Sequence, residues 1–267
     1  MYGPLAMATT REAGINPAME ELVRTNYIGL SDVELDQYLY RIISVDRLVE
    51  LFTNRQNVLV RPSQWDDPFE NFVLKSQAKL SSGDVVTFDF NNDFYGQCWT
   101  TQKASDAMWR IYSPKSNGVR IRTTVRRLGD GLGKACGDWA HIQSFIGRVR
   151  YLKKKQMLDF ASGVFANGLD ATAFAKTLLV KRPAFRHERE VRLLYFEKEN
   201  DRRGNNLFRY SIEPTELVDQ VMIDPRLAKN DAAALKSEIK RRTGFGGQIK
   251  RSLLYAPPEG FIFPVGP

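Results

Sequence analysis

An α+β fold is the class this sequence predicts: a mixed, largely antiparallel central sheet with flanking helices. Two observations predict it. Segments such as 37–43 (QYLYRII) and 189–196 (REVRLLYF) combine β-branched and aromatic residues with alternating polarity, the pattern of half-buried strands. Between such segments lie capped stretches with helical patterning, the longest over residues 155–181. Composition agrees, since 43% hydrophobic and 26% charged residues over 267 positions suit a globular chain with a substantial core.

Taken in order, residues 1–17 read as a loose arm and 18–267 as a single mixed α/β domain. A helix is expected from Ala18 to about Gly29, with Leu22 and Val23 facing inward. After the strand at 37–43, Ser44 reads as the N-cap of a helix reaching about Asn54, with Asp46 in its first turn. Residues 57–61 (NVLVR) read as a short strand. Within 62–72, Asp67-Pro68-Phe69-Glu70 has the grammar of a capping box: an acidic N-cap, proline first and glutamate third. Capping is therefore the expected role of Asp67 and Glu70. Residues 75–92 read as a surface excursion.

Residues 95–101 (YGQCWTT) read as a strand, Ser105 as the cap of a short helix over 106–112, and 118–123 (GVRIRT) as a further strand. The glycine-rich stretch 129–137 lacks phosphate-loop spacing and a following Lys-Ser/Thr, so a plain loop is expected. A strand over 145–152 precedes the helical stretch 155–181, broken near Gly168. Strands 189–196 and 207–212 are expected to pair around a polar turn at 197–206. The end reads strand 218–223, helix 231–242, strand 248–253.

Charge and composition narrow the function classes. No apolar run reaches the ~18 residues of a membrane span. The first ten residues lack the basic region of a secretory signal, so a cytoplasmic location is expected. Two cysteines, Cys98 and Cys136, and two histidines, His141 and His187, offer neither a disulfide framework nor zinc spacing. The net charge of +8, carried in scattered pairs and triplets such as Lys153-Lys154-Lys155, suits either a solvated surface or a nucleic-acid partner.

Strand alternation puts Glu188, Glu190 and Arg192 on one face and Val191 and Leu193 on the other, the natural core face. The glutamates are then expected to open onto solvent or a cleft. Arg41 shares a side with Leu39 and Ile43, where an arginine stands at a sheet margin or pairs with a buried acid. Met108, Trp109 and Tyr112 sit at helical spacing and read as core or as a stacking surface.

A series of segments resembles the bacterial domain-of-unknown-function family 2971: LYRI (39–42), WDDPFE (65–70), CWT (98–100), MWRIYS (108–113), NGVRI (117–121), VRYL (149–152) and HEREVRLL (187–194). The resemblance spans residues 38–223. It departs from the usual pattern at Asp66, where the family more often has asparagine, and at Val191, where it often has an aromatic. A more distant similarity, to ADP-ribosyltransferases, lies in an early strand arginine, a Ser/Thr-bearing middle strand and a late E-x-E strand. That similarity implies NAD as substrate; separately, the cysteine and histidine spacing leads to the expectation of no metal. It implies Glu190 and Glu188 as catalytic residues, and Arg41, Tyr40, Thr100, Trp109 and Tyr112 as NAD-binding residues.

These residue types suit glycosidic cleavage of NAD. A carboxylate stabilises the oxocarbenium character of the ribose and a second one takes the acceptor's proton. An arginine grips the pyrophosphate, and Trp109, Tyr112 or Tyr95 can stack on a ring. The acceptor is expected to be a nucleic acid or a protein. The alternatives are a non-enzymatic nucleic-acid-binding module, which fits the charge, and a metal-dependent nuclease, for which Glu190-Val191-Arg192 lacks the expected lysine.

Overall fold

The structure is a computed structural model, describing residues 24–65, 67–71, 73–79, 82–87, 93–165, 170–197, 205–256, 260, 262–264 and 266. The arm at 1–17 and most of the first expected helix lie outside these. Within them, Tyr27–Ile28 is a short strand, β1, where a helix was expected. Next come β2 (Tyr38–Ser44), α1 (Val45–Asn54) and β3 (Gln56–Val60). Ser44 caps α1 as its spacing predicts, its hydroxyl accepting from the Arg47 amide at 3.2 Å. Residues 77–79 and 85–87 of the expected excursion form a small hairpin, β4 (Gln77–Lys79) and β5 (Val85–Thr87).

The middle of the chain supplies β6 (Phe94–Thr100), α2 (Asp106–Tyr112) and β7 (Gly118–Thr124). Then follows α3 (Val125–Cys136), which replaces the loop expected over 129–137. Thr124 caps it, and Val125, Leu128 and Leu132 bury one stripe, so tertiary packing overrides the low helix propensity of three glycines. Gly129 also has a reason of its own: a Cβ there would lie 2.6 Å from the Tyr27 hydroxyl.

The remainder comprises α4 (Ala140–Gln143), β8 (Ser144–Arg148), β9 (Arg150–Tyr151), α5 (Lys154–Phe165), α6 (Ala171–Thr177), β10 (Val180–Lys181) and β11 (Glu190–Phe196). The chain continues through β12 (Leu207–Ser211), α7 (Pro214–Leu217), β13 (Gln220–Ile223), α8 (Lys229–Thr243) and β14 (Gln248–Arg251).

Ten strands form one sheet, in the order β1-β8-β11-β6-β2-β7-β13-β14, with β3 and β12 branching from β6. Only β1/β8 and β13/β14 pair in parallel within this sheet, so it is mixed and largely antiparallel, as expected. One expected pairing is corrected: β11 pairs with β6 and β8, and β12 pairs with β3. Both strands were recognisable, but their partners are non-local and their own sequences do not name them.

Apolar layers cover both faces of the sheet. On one face, Leu39, Trp99, Ile121, Val191 and Leu193 pack with Leu48 of α1, Leu128 of α3 and Ile239 of α8. On the other, Phe94 and Leu194 pack with Phe174 of α6 and Leu178. The feature that positions the site is a fork in the middle of the sheet. Strand β6 meets β2 only at Tyr40↔Thr100 and β3 only at Val60↔Gly96. Between those contacts the two neighbours of β6 diverge, and cavities open in the fork.

Candidate functional site

Strand β11 places two kinds of side chain on its two faces. Val191 and Leu193 enter the larger core, as expected. Glu190 and Arg192 face the other way, beside Thr100 and Cys98 of β6. That face is not open to solvent: Arg192 is fully buried and Glu190 nearly so. Glu188 is not on the strand at all. It ends a 3₁₀ turn, Pro183–Glu188, and the chain turns into β11 through Arg189 in the left-handed region, φ 44°. The Thr100 hydroxyl donates to the Glu188 carbonyl and fixes that corner against the end of β6.

The buried acids meet two cations. Lys181 contacts Glu70 at 2.9 Å, Glu188 at 2.5 Å and Glu190 at 3.3 Å. The Arg192 guanidinium contacts Glu190 at 2.6 Å and Glu70 at 2.9 Å, and it donates to the Leu178 carbonyl at 2.7 Å. Trp65 covers the Arg192 guanidinium at 4.5 Å. It can lie there because β6 carries glycine beneath it: a Cβ on Gly96 would sit 2.5 Å from the Trp65 ring. Without these partners, burying such charges is strongly unfavourable.

The cluster drives the two glutamates apart. Burial raises the Glu188 pKa, and although the Lys181 hydrogen bond opposes it, repulsion from Glu190 adds to the rise. Burial acts in the same direction on Glu190, but Arg192 and Lys181 outweigh it and hold the carboxylate ionised below its ordinary range. Burial would lower the Lys181 pKa, and the surrounding glutamates reverse this and keep its ammonium charged. The Tyr151 hydroxyl, accepting from the Glu190 amide at 2.9 Å, is raised to about 12, chiefly by burial.

Above the cluster lies a cavity of about 130 Å³, lined by Tyr40, Arg41, Thr100, Met108, Tyr112 and Glu190, with Cys98 and Trp99 in its wall. Burial, with the neighbouring Glu190, pushes the Cys98 thiol up to about 12, so it stays protonated. Arg41 reaches this cavity by an unusual route. Its register partner is Ile121 and it alternates with Tyr40, so its Cβ lies on the opposite sheet face from Glu190. Because β2 and β6 diverge in the fork, Arg41 still lines the cavity that Glu190 lines. Among the described residues it has no ion pair or hydrogen bond. Burial lowers its pKa, and the neighbouring Arg47 adds to the fall.

Five of the seven residues singled out in the sequence therefore line one cavity: Glu190, Arg41, Tyr40, Thr100 and Tyr112. Glu188 borders it, its carboxylate 3.4 Å from the Tyr112 hydroxyl. Trp109 is not brought to it. One residue along α2 from Met108, it turns into the core at 1% exposure, and Met108 takes the position at the wall. Tyr95 is likewise buried in the larger core.

Two functional side chains escaped the sequence reading. Lys181 fell inside an expected helix; its signal was the Leu178-Leu179-Val180 run ending just before Arg182-Pro183, where a helix is disfavoured. Glu70 was read as the far end of a capping box. Asp67 does accept from the Phe69 amide at 3.0 Å, but Glu70 turns inward to Lys181 and Arg192.

Residues 108–193 match the model of a family described as Protein of unknown function (DUF2971). The match takes in MWRIYS, NGVRI, VRYL and most of HEREVRLL, while LYRI, WDDPFE and CWT lie before it. The chain is thus similar to that family across α2 to β11. No curated protein matches the sequence. Among solved structures, that of Thermus sp. 2.9 DarT in complex with NAD+ is similar with a TM-score of 0.38 and 9% identity, covering 84% of this chain and 97% of that one. DarT from the same source in complex with ADP-ribosylated ssDNA gives 0.39 and 10%, covering 85% and 97%. Its complex with carba-NAD+ gives 0.37 and 9%, covering 81% and 96%.

Proposed function

We propose that the chain is an NAD-dependent ADP-ribosyltransferase whose reaction takes place in the cavity between Arg41 and Glu190. The observation that carries this reading is their joint placement: an arginine with no carboxylate partner among the described residues and a carboxylate held ionised line one cavity. At about 130 Å³ the cavity suits the nicotinamide ring of the dinucleotide, with Arg41 at the fork to meet the pyrophosphate. Tyr112 and Tyr40 offer ring surfaces to the nicotinamide, and the Thr100 hydroxyl lies at the same wall.

The glycosidic C1′–N bond breaks with its electron pair going to the nicotinamide ring. Positive charge develops on the ribose, and the ionised Glu190 stabilises it through the sugar hydroxyls. An acceptor nucleophile then forms the new bond to C1′, and its proton passes to Glu188, whose raised pKa suits a general base. Carboxyl pairs pushed apart in this way are a common source of separate acid–base roles. The net charge of +8 suits a polyanionic acceptor such as a nucleic acid.

The nuclease reading is weaker. Glu70, Glu188 and Glu190 converge, but they converge on the Lys181 ammonium, which holds the position a divalent cation would need. A binding module without chemistry explains the charge but not the buried carboxylate pair.

The experiment is incubation with adenylate-labelled NAD and single-stranded oligonucleotides. The reading expects nicotinamide release and label on the oligonucleotide, both lost in Glu190→Gln. Absence of both with every acceptor, together with no NAD binding by calorimetry, would falsify it.

A further inference from the structure

The fork has a second side. Between the two arms of the fork, β2 on one side and β3 with β12 on the other, opens a larger cavity, about 400 Å³, which Arg41 also lines. We propose that this cavity is a separate binding site for a nucleoside phosphate, a phosphate carried on a planar base. Arg41 is shared with the NAD reading, so the proposal stands on Arg209, which lines this cavity alone.

Charge is the first argument. Three arginines, Arg41, Arg47 and Arg209, line the cavity against one acid, Glu50. Glu50 is engaged by Arg47 at 3.0 Å, across an exposed i,i+3 pair on α1. Arg209, like Arg41, has no ion pair or hydrogen bond among the described residues. Two guanidinium groups without carboxylates therefore stand at one concave surface, each able to grip a phosphate by two parallel hydrogen bonds.

Shape and lining supply the second argument. The strand register sets Arg209 opposite Val58 and Leu207 opposite Val60, so β12 and β3 present a short apolar platform beside a charge. Ile43 and Ile121 continue the apolar wall from the other arm of the fork. Such a platform accepts the face of a ring. The Gln56 side chain stands at the same surface with donor and acceptor atoms for a base edge. A cavity of this size falls within the roughly 300–1,000 Å³ range of small-molecule sites. A bare inorganic anion would leave its apolar half unused.

The ligand has two sources with the same chemistry: a free mononucleotide, or one nucleotide unit of a single strand. Calorimetric titration with adenosine monophosphate and with a 5′-phosphorylated dinucleotide distinguishes them. We expect wild type to bind at least one. Arg209→Ala should weaken that binding at least tenfold and Arg209→Glu should abolish it. Tighter dinucleotide binding identifies a strand unit; equal or tighter monophosphate binding identifies the free nucleotide. Arg209 is exposed and touches only the larger cavity, so its variants should keep the wild-type melting temperature. No binding of either probe by wild type, or wild-type affinity in Arg209→Glu, overturns the proposal.

Discussion

Arg192 and Arg41 both line the middle of one sheet, and they are surrounded in opposite ways. Arg192 on β11 is fully buried, flanked by Glu190 and Glu70, capped by the Leu178 carbonyl and covered by Trp65. Arg41 on β2 is half-buried and has no partner among the described residues. Arg192 belongs to a charge-saturated network that fixes the shape of the site. Arg41 is left able to accept an anion that the chain itself does not provide. The same residue type thus does structural work on one side of the fork and is available for recognition on the other, and the difference lies in the carboxylates supplied by Glu70 and Glu190.

Removing each arginine is the sharpest way to break that comparison. Arg192→Ala strands two buried carboxylates and should cost about 3–5 kcal/mol of stability, the usual cost of breaking a buried pair. Arg41→Ala breaks no ion pair, so its denaturation midpoint should stay close to wild type. Urea titration measures both, and equal losses would erase the distinction between them.

The two glutamates sharpen the comparison through pH. Glu188 has a raised pKa, so its contribution to stability is full below the ordinary value of 4.5 and is lost as pH rises through its folded value. Glu188→Gln should therefore gain on wild type as pH rises above about 4.5. Glu190 has a lowered pKa, so its contribution is full above 4.5 and is lost as pH falls through its folded value. Glu190→Gln should be most destabilised at neutral pH and approach wild type in acid. Denaturant midpoints from acid to neutral pH test both signs, and parallel curves for the two variants would contradict them.

A smaller effect is expected at Asp67, which accepts from the Phe69 amide and pairs with Arg182 at 2.9 Å. Asp67→Ala should cost about 0.5–2 kcal/mol, the range for loss of a capping side chain. Thermal denaturation reads it, and a wild-type midpoint would show that the turn holds without its cap.

Much of this arrangement was legible before the structure. Local alternation marked β2, β6, β7 and β11, and local caps marked α1 and α2, because those signals lie within a few residues of one another. Arg41 could be singled out because it stands between apolar neighbours, and Glu190 because it lies on the polar face of an alternating strand within the E-x-E pattern. What could not be read was set at long range. The pairing of β11 with β6 and the inward turn of Glu70 toward Lys181 depend on residues far apart in sequence. The glycine-bearing α3 reads as a loop until Tyr27 is known to pack on Gly129. Trp109 and Met108 are adjacent on one helix, and only the docked helix decides which of them reaches the cavity.

The central claim is that Arg41 is unpaired because an anionic substrate is its partner. Calorimetry with NAD on wild type and Arg41→Ala, alongside their melting temperatures, tests it most directly. The account predicts that wild type binds NAD, that Arg41→Ala binds at least tenfold more weakly, and that both melt together. Equal NAD affinity in the two proteins would contradict it, as would a melting temperature for Arg41→Ala that falls as far as that of Arg192→Ala.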